Sequence, residues 1–217
     1  MRKAAMQASF SFPMWGGARA GAGRKKTSEE SVPHARRPEI AARYPVHVTL
    51  RVARGLPSLR TGRTFRELVR AFRGGRERFG FRLVHFAVLS NHVHLVVEAD
   101  VARSLSRGMQ GLAVRLARAF NRAVGRAGAV FVERYHARVL RTPREVRNAL
   151  AYVLGNARRH GVWLRRGARD PCSSGRWFEG WVGVKRFLGL ETAPVARART
   201  WLLRLRWAKH GLLSVPT

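Results

Sequence analysis

Apolar and polar residues alternate along Val46-His47-Val48-Thr49-Leu50-Arg51-Val52, and a two-residue period in a β-branched run predicts a strand, closed by Gly55 and Pro57. The period then lengthens. Phe65, Leu68, Val69 and Phe72 share one helical face behind Thr64 and Glu67, a capping-box spacing that predicts a helix of about four turns with Arg66, Arg70 and Arg73 outward. Phe81 to Leu89 is apolar on both alternations, as in a strand covered on both faces. Ser90-Asn91 is a two-residue break before His92 to Glu98, so these two strands are expected to pair as a tight hairpin. Leu105, Met109, Leu112, Leu116 and Phe120 recur at steps of three and four, the stripe of a long helix ended by Gly125 and Gly128. Ala129 to Leu140 reads as a fourth strand. Thr142-Pro143-Arg144-Glu145 then combines a capping box with proline at the first helical position and starts a last helix, running to His160 with Gly161 as its cap.

This order predicts an α+β fold, a ferredoxin-like antiparallel sheet with helices on one or both faces and an added C-terminal helix. The main domain is expected over residues 44–161. Residues 1–43 carry Gly, Pro and Arg without apolar periodicity and read as a basic disordered arm. Its glycine run, Gly16 to Lys26, lacks the spacing and the preceding strand of a P-loop. Residues 162–217 form a Trp- and Arg-rich appendage holding Trp163, Trp177, Trp181, Trp201 and Trp207, which are expected to pack on the main domain. Within it, Thr200 to His210 is an amphipathic helix candidate closed by Gly211.

Charge narrows the function. Against 12 acidic residues stand 43 Lys and Arg, a formal net charge of +31. That balance does not suit an enzyme of neutral metabolites and points to a polyanion. Nucleic acid leads, because cationic side chains on phosphates release condensed counterions; a membrane surface comes second. All but five of the basic residues are Arg, a bias that a GC-rich genome also produces. Arg107, Arg115, Arg118 and Arg122 lie off the apolar stripe of the long helix and, with Arg134 and Arg159, are the candidate nucleic-acid contacts. No run approaches the roughly 18–20 apolar residues of a membrane span, and the N-terminus lacks the apolar core of a signal peptide. A soluble, cytoplasmic, nucleoid-associated protein without a membrane partner is expected. A single cysteine, Cys172, excludes an internal disulfide and an all-cysteine zinc site.

Candidate chemistry sits on the second hairpin strand and the last helix. His92 and His94 are two apart, so in a strand both imidazoles point to one face about 7 Å apart, a possible clamp for a metal ion. The same pair could be polar decoration on a solvated strand. On the last helix, taking Val146, Leu150, Val153 and Ala157 as the core face puts Tyr152 and Asn156 on the opposite side, one turn from each other. A phenol and an amide oxygen can then reach the same ion, although the spacing also allows an exposed tyrosine on a polar face. Two imidazoles and an amide oxygen around a hard divalent cation would leave positions open for phosphate oxygens. A phenol is a poor nucleophile at neutral pH, but a neighbouring cation favours the phenolate. Attack on phosphorus would form a covalent phosphotyrosine that conserves the bond for rejoining. Tyr135, in a predicted strand beside Arg134 and His136, is the rival nucleophile and is read as structural or DNA-contacting. His47 and His85 are read as packed or hydrogen-bonded, and His160 as a cation at a helix C-terminus.

Taken together, Pro45-Val46-His47-Val48-Thr49, Leu89-Ser90-Asn91-His92-Val93-His94-Leu95-Val96-Val97, Phe131-Val132-Glu133-Arg134-Tyr135 and Tyr152-Val153-Leu154-Gly155-Asn156 resemble the single-tyrosine HUH transposases, in particular the REP-associated tyrosine transposases. The resemblance runs from about Tyr44 to Gly161. It implies Mg²⁺ or Mn²⁺ held by His92, His94 and Asn156, with Tyr152 attacking single-stranded DNA beside a hairpin to give a 5′-phosphotyrosine and a free 3′-OH. Many such relatives follow the asparagine with proline, where this chain has Ala157. Two other readings stay open: a domesticated protein that grips hairpins of the repetitive extragenic palindrome type without cleaving them, and an HUH nickase of plasmid replication or transfer.

Overall fold

In a computed structural model of the protein, residues 40–183 and 193–215 are described. The basic arm expected at the N-terminus lies outside the described residues up to position 39. The strands are β1 (Val46–Arg51), β2 (Glu77–Arg78), β3 (Phe81–Val88), β4 (His92–Ala99) and β5 (His136–Val139). The helices are α1 (Gly62–Gly75), α2 (Ala102–Val124), α3 (Pro143–Arg159) and the single turn α4 (Trp201–Arg204). The strands form a five-stranded sheet in the order β2-β3-β4-β1-β5, with every pairing antiparallel. Without the short β2, this is the ferredoxin-like order expected for a strand-helix-strand-strand-helix-strand chain.

The alternation within each strand sorts side chains into two layers. Val46, Val48, Leu50, Val93, Leu95 and Val97 face α1 and α2 and join Leu68, Phe72, Leu105, Met109, Leu112, Leu116 and Phe120 in one buried core. Val84, Ala87 and Val96 face the other way, toward Val146, Leu150 and Val153 of α3 and toward Leu202, Leu203 and Trp207 near the C-terminus. Both faces of β3 are therefore covered, and all eight of its residues are buried. The β3–β4 hairpin closes across Ser90-Asn91, with the Leu89 N–H donating to the His92 carbonyl at 2.9 Å.

Several local expectations are corrected. Helix α1 is capped by Thr61, not Thr64: the Thr61 hydroxyl accepts the Thr64 N–H at 3.4 Å and donates to Thr64 Oγ1 at 2.8 Å, while Thr64 itself is buried in the first turn. Glu67 pairs instead with Arg70 and, at 3.7 Å, with Arg122 of α2. The strand expected over Ala129–Leu140 shrinks to β5. Phe131 makes only an isolated bridge to Val52, and the register slips between that bridge and the Thr49/His136 pair, so Val132, Glu133 and Arg134 stand exposed outside the ladder. The small strand β2 has no apolar alternation to announce it. It pairs with β3 through a turn in which Phe79 and Gly80 both have positive φ, 50° and 76°. The helix expected over Thr200–His210 divides at Leu205 (φ −131°) into α4 and a 3₁₀ turn, Arg206–His210, which turns Trp207 into the core. The tryptophans divide likewise: Trp181 and Trp207 are buried and Trp177 packs on the first core, whereas Trp163 and Trp201 are exposed.

The segment after α3 is tied to the sheet. Asp170 receives a two-pronged ion pair from Arg60, at 2.7 and 2.9 Å, and Arg60 also donates to the Val88 carbonyl at 2.7 Å. Cys172 then accepts the Val88 N–H at 2.9 Å through its carbonyl, and Ser174 Oγ accepts the Phe86 N–H at 3.0 Å. His85, buried beneath this segment, lies with Nδ1 3.2 Å from Ser174 Oγ, and burial pushes its pKa down to about 4. An unfolded histidine titrates near 6.5, so the unfolded chain binds the proton first as pH falls. The stability held by neutral His85 is fully present above about 6.5 and is lost progressively down to about 4. Urea denaturation at pH 7 and pH 4 should therefore show His85→Gln losing less stability on acidification than wild type, by on the order of 3 kcal/mol. Identical losses would show that His85 does not carry this proton linkage.

Candidate active site

The α3-facing side of the sheet carries a polar patch within its apolar surroundings. His47 and Thr49 of β1 and His92 and His94 of β4 alternate out of the core layer that Val46, Val48, Val93 and Leu95 occupy, so all four project toward α3. Cross-strand register sets Thr49 opposite His94 and Arg51 opposite His92. The result is a histidine cluster: the His92 and His94 rings are 4.7 Å apart and nearly perpendicular, and His47 lies 5.2 Å from His94.

Helix α3 closes over this patch. Its N-terminus is held by the expected capping box, with the Thr142 hydroxyl accepting the Glu145 N–H and the Glu145 carboxylate accepting the Thr142 N–H. The Tyr152 ring stacks edge-on to His94 at 5.1 Å and to His47 at 5.8 Å. One turn beyond Asn156, the His160 ring lies 5.0 Å from His92. Residues 152, 156 and 160 form one stripe at four-residue spacing whose two ends touch the histidine pair, so the buried Asn156 lies on the same face of α3. The helical phase is corrected here: Asn156 is fully buried, and Tyr152 is half-buried against the second core. A single core face was the wrong picture for a helix that also buries Ala149 and Leu154.

Electrostatics favour uncharged imidazoles. Burial, reinforced by the neighbouring His92, His47 and His160, lowers His94 to about 3. Burial together with His160 and Arg51 lowers His92 to about 4, and burial together with His136 and Arg138 does the same for His47. Neutral imidazole is the form that ligates metal. The His92 Nδ1–H donates to Asn91 Oδ1 at 2.7 Å, which leaves Nε2 with its lone pair.

The chemistry of the buried polar atoms suits a cation. His94 Nε2 and both amide atoms of Asn156 are buried without a hydrogen-bond partner. Orphaned groups of this kind are costly unless something else satisfies them. Among the described residues no three His, Cys, Asp or Glu side chains are grouped to hold a metal ion. The two imidazoles and the Asn156 amide oxygen are the groups that could hold a cation here, a mixed nitrogen and oxygen set compatible with Mg²⁺ or Mn²⁺.

Of the candidate arginines only Arg159 comes to the site, its guanidinium 5.9 Å from the Tyr152 ring centre. Arg107, Arg118 and Arg122 are exposed on α2, across the sheet from the histidines, and Arg115 is half-buried there. Arg134 is exposed in the loop before β5. The rival Tyr135 packs against the core shared by α1 and α2, on the far side from the histidine patch. His47, expected as a packed or hydrogen-bonded residue, and His160, expected as a cation at a helix C-terminus, both lie beside the histidine pair, as does Thr49 of the β1 motif. His160 was within reach of the four-residue spacing from Tyr152, whereas the approach of His47 and Thr49 to His94 depends on strand register.

The family profile described as "Transposase IS200 like" matches residues 44–155, just over half of the chain, and the chain belongs to that family. The matched span includes His92, His94 and Tyr152 and stops one residue before Asn156. Among solved structures the chain is similar to one described as "Structure of the REP associates tyrosine transposase bound to a REP hairpin". The TM-score is 0.53 at 18% identity, over 66% of this chain and 82% of that chain, and the likeness shows a shared fold. No curated protein matches the chain. Among the described residues no helix is long and apolar enough to cross a membrane.

Proposed function

We propose that the protein nicks and rejoins single-stranded DNA beside hairpins, with Tyr152 as nucleophile and Mg²⁺ or Mn²⁺ held by His92, His94 and Asn156. The observation that carries this reading is the placement of Tyr152 against His94, whose buried Nε2 has no hydrogen-bond partner. The REP hairpin bound by the structurally similar transposase supports the choice of substrate. When bound, the divalent cation polarises the phosphodiester and offsets charge on its oxygens. The Tyr152 oxygen attacks phosphorus, the bond from phosphorus to the 3′ oxygen breaks, and the phenol's proton ends on the freed 3′-OH. A 5′-phosphotyrosine results without hydrolysis, and attack by a 3′-OH reverses the step and joins strands. Arg159, beside the phenol, can hold a phosphate oxygen. The arginines of α2, remote from the chemistry, grip flanking DNA through phosphate contacts that weaken with salt.

Cation and grip separate experimentally. With a labelled hairpin oligonucleotide and Mn²⁺, adding EDTA is expected to abolish nicking while leaving binding within about threefold, because phosphate contacts by arginine need no metal. Equal loss of both would show that the metal is structural. Binding without nicking under any divalent cation would favour the domesticated hairpin-binding reading.

A further inference from the structure

A ligating imidazole presents one nitrogen to the metal, and the group at the other nitrogen decides which of the two carries the proton. His94 Nδ1 has two neighbours, Thr49 Oγ1 at 3.1 Å and His47 Nε2 at 3.2 Å, both from β1. Both atoms can accept a hydrogen bond or donate one, so the surroundings of Nε2 decide between the tautomers. If the proton sits on Nδ1, it is shared with these acceptors and Nε2 keeps a lone pair facing the site. If it sits on Nε2, the result is a buried N–H with no partner, because Nε2 has none. Register holds this geometry: Thr49 lies directly across from His94, and His47 opposes the neighbouring Val96 on the same strand pair.

We infer that His47 and Thr49 are positioning residues that lock His94 in its Nδ1–H tautomer and so aim the Nε2 lone pair at the cation. They reach the site through His94 Nδ1. The inference rests on the cation reading of the site given above, and two measurements on the full chain separate the two. In the metal-free protein with ¹⁵N-labelled histidine, a long-range ¹H–¹⁵N correlation spectrum should show His94 protonated at Nδ1. In a His47→Leu/Thr49→Val double variant that signature should be lost. Calorimetric titration with Mn²⁺ alone should find the double variant binding roughly 10–100-fold more weakly than wild type, the range for lost outer-shell partners of metal-bound histidine. Thr49→Ser, which keeps the hydroxyl, should bind like wild type, and Thr49→Val should not. A side chain that merely filled space would show neither the tautomer change nor the serine rescue.

A wild-type His94 protonated at Nε2 would overturn the inference, as would a double variant binding Mn²⁺ within about threefold of wild type. Should the double variant fail to fold, Thr49→Val binding as tightly as Thr49→Ser would overturn it in the same way. Wild type that binds no Mn²⁺ would overturn the cation reading and the inference together. Wild type that binds, with variants that bind equally well, would overturn the inference alone.

Discussion

Replacing Tyr152 by phenylalanine is expected to abolish covalent attachment to hairpin DNA and to lower nicking by roughly 10⁴-fold or more, the scale seen when a nucleophile is removed. Phenylalanine keeps the ring that packs edge-on against His94 and His47, so the fold, Mn²⁺ binding and hairpin binding should be unchanged. Only the attacking oxygen is lost. Single-turnover cleavage of a labelled hairpin in excess enzyme reads the chemical step directly. An undiminished rate would move the nucleophile elsewhere, and Tyr135→Phe would then be the variant to compare.

The second large effect is on stability. Glu98 is fully buried at the end of β4, where its carboxylate accepts Arg82 Nε at 3.1 Å, the Thr200 hydroxyl at 2.8 Å, and the backbone N–H groups of Thr200 and Arg199 at 2.9 Å. This one side chain joins the sheet to the start of α4 and so anchors Leu202, Leu203 and Trp207 on the second core. Glu98→Ala leaves a buried guanidinium and two backbone donors without their acceptor, and should cost about 3–5 kcal/mol. Asp100 retains part of the Arg82 charge at 3.0 Å but is more than half exposed. Asp100→Asn should therefore cost less than about 1 kcal/mol. Urea melts followed by tryptophan fluorescence, which reports Trp181 and Trp207 in that core, would check both. Glu98→Ala within about 1 kcal/mol of wild type would show that the C-terminal segment holds without its anchor.

Much of the fold was legible because its signals are local. The alternation at Val46–Arg51, the doubly apolar β3, the stripe of α2 and the capping box of α3 each match an observed element. What escaped is non-local. Asn156 was placed on an outward face because a helical wheel assumes one buried side, whereas α3 lies on the sheet with the C-terminal segment packed against it too. The alternation before β5 reads as a strand until the register slip near Phe131 interrupts it, and that slip belongs to the pairing with β1. Phase alone placed His92 and His94 on one face. The contacts of His47 and Thr49 with His94 depend on which residues β1 and β4 set opposite each other, and no spacing within either strand states that.

The central claim is that Tyr152, set against the histidine pair, becomes joined to DNA. Incubating wild-type protein with a single-stranded hairpin oligonucleotide and Mn²⁺, digesting it, and mapping the modified peptide by mass spectrometry tests this directly. The expected product is a nucleotide joined through a 5′ phosphate to residue 152. No adduct across a varied hairpin set, or an adduct on the peptide carrying Tyr135, would contradict it.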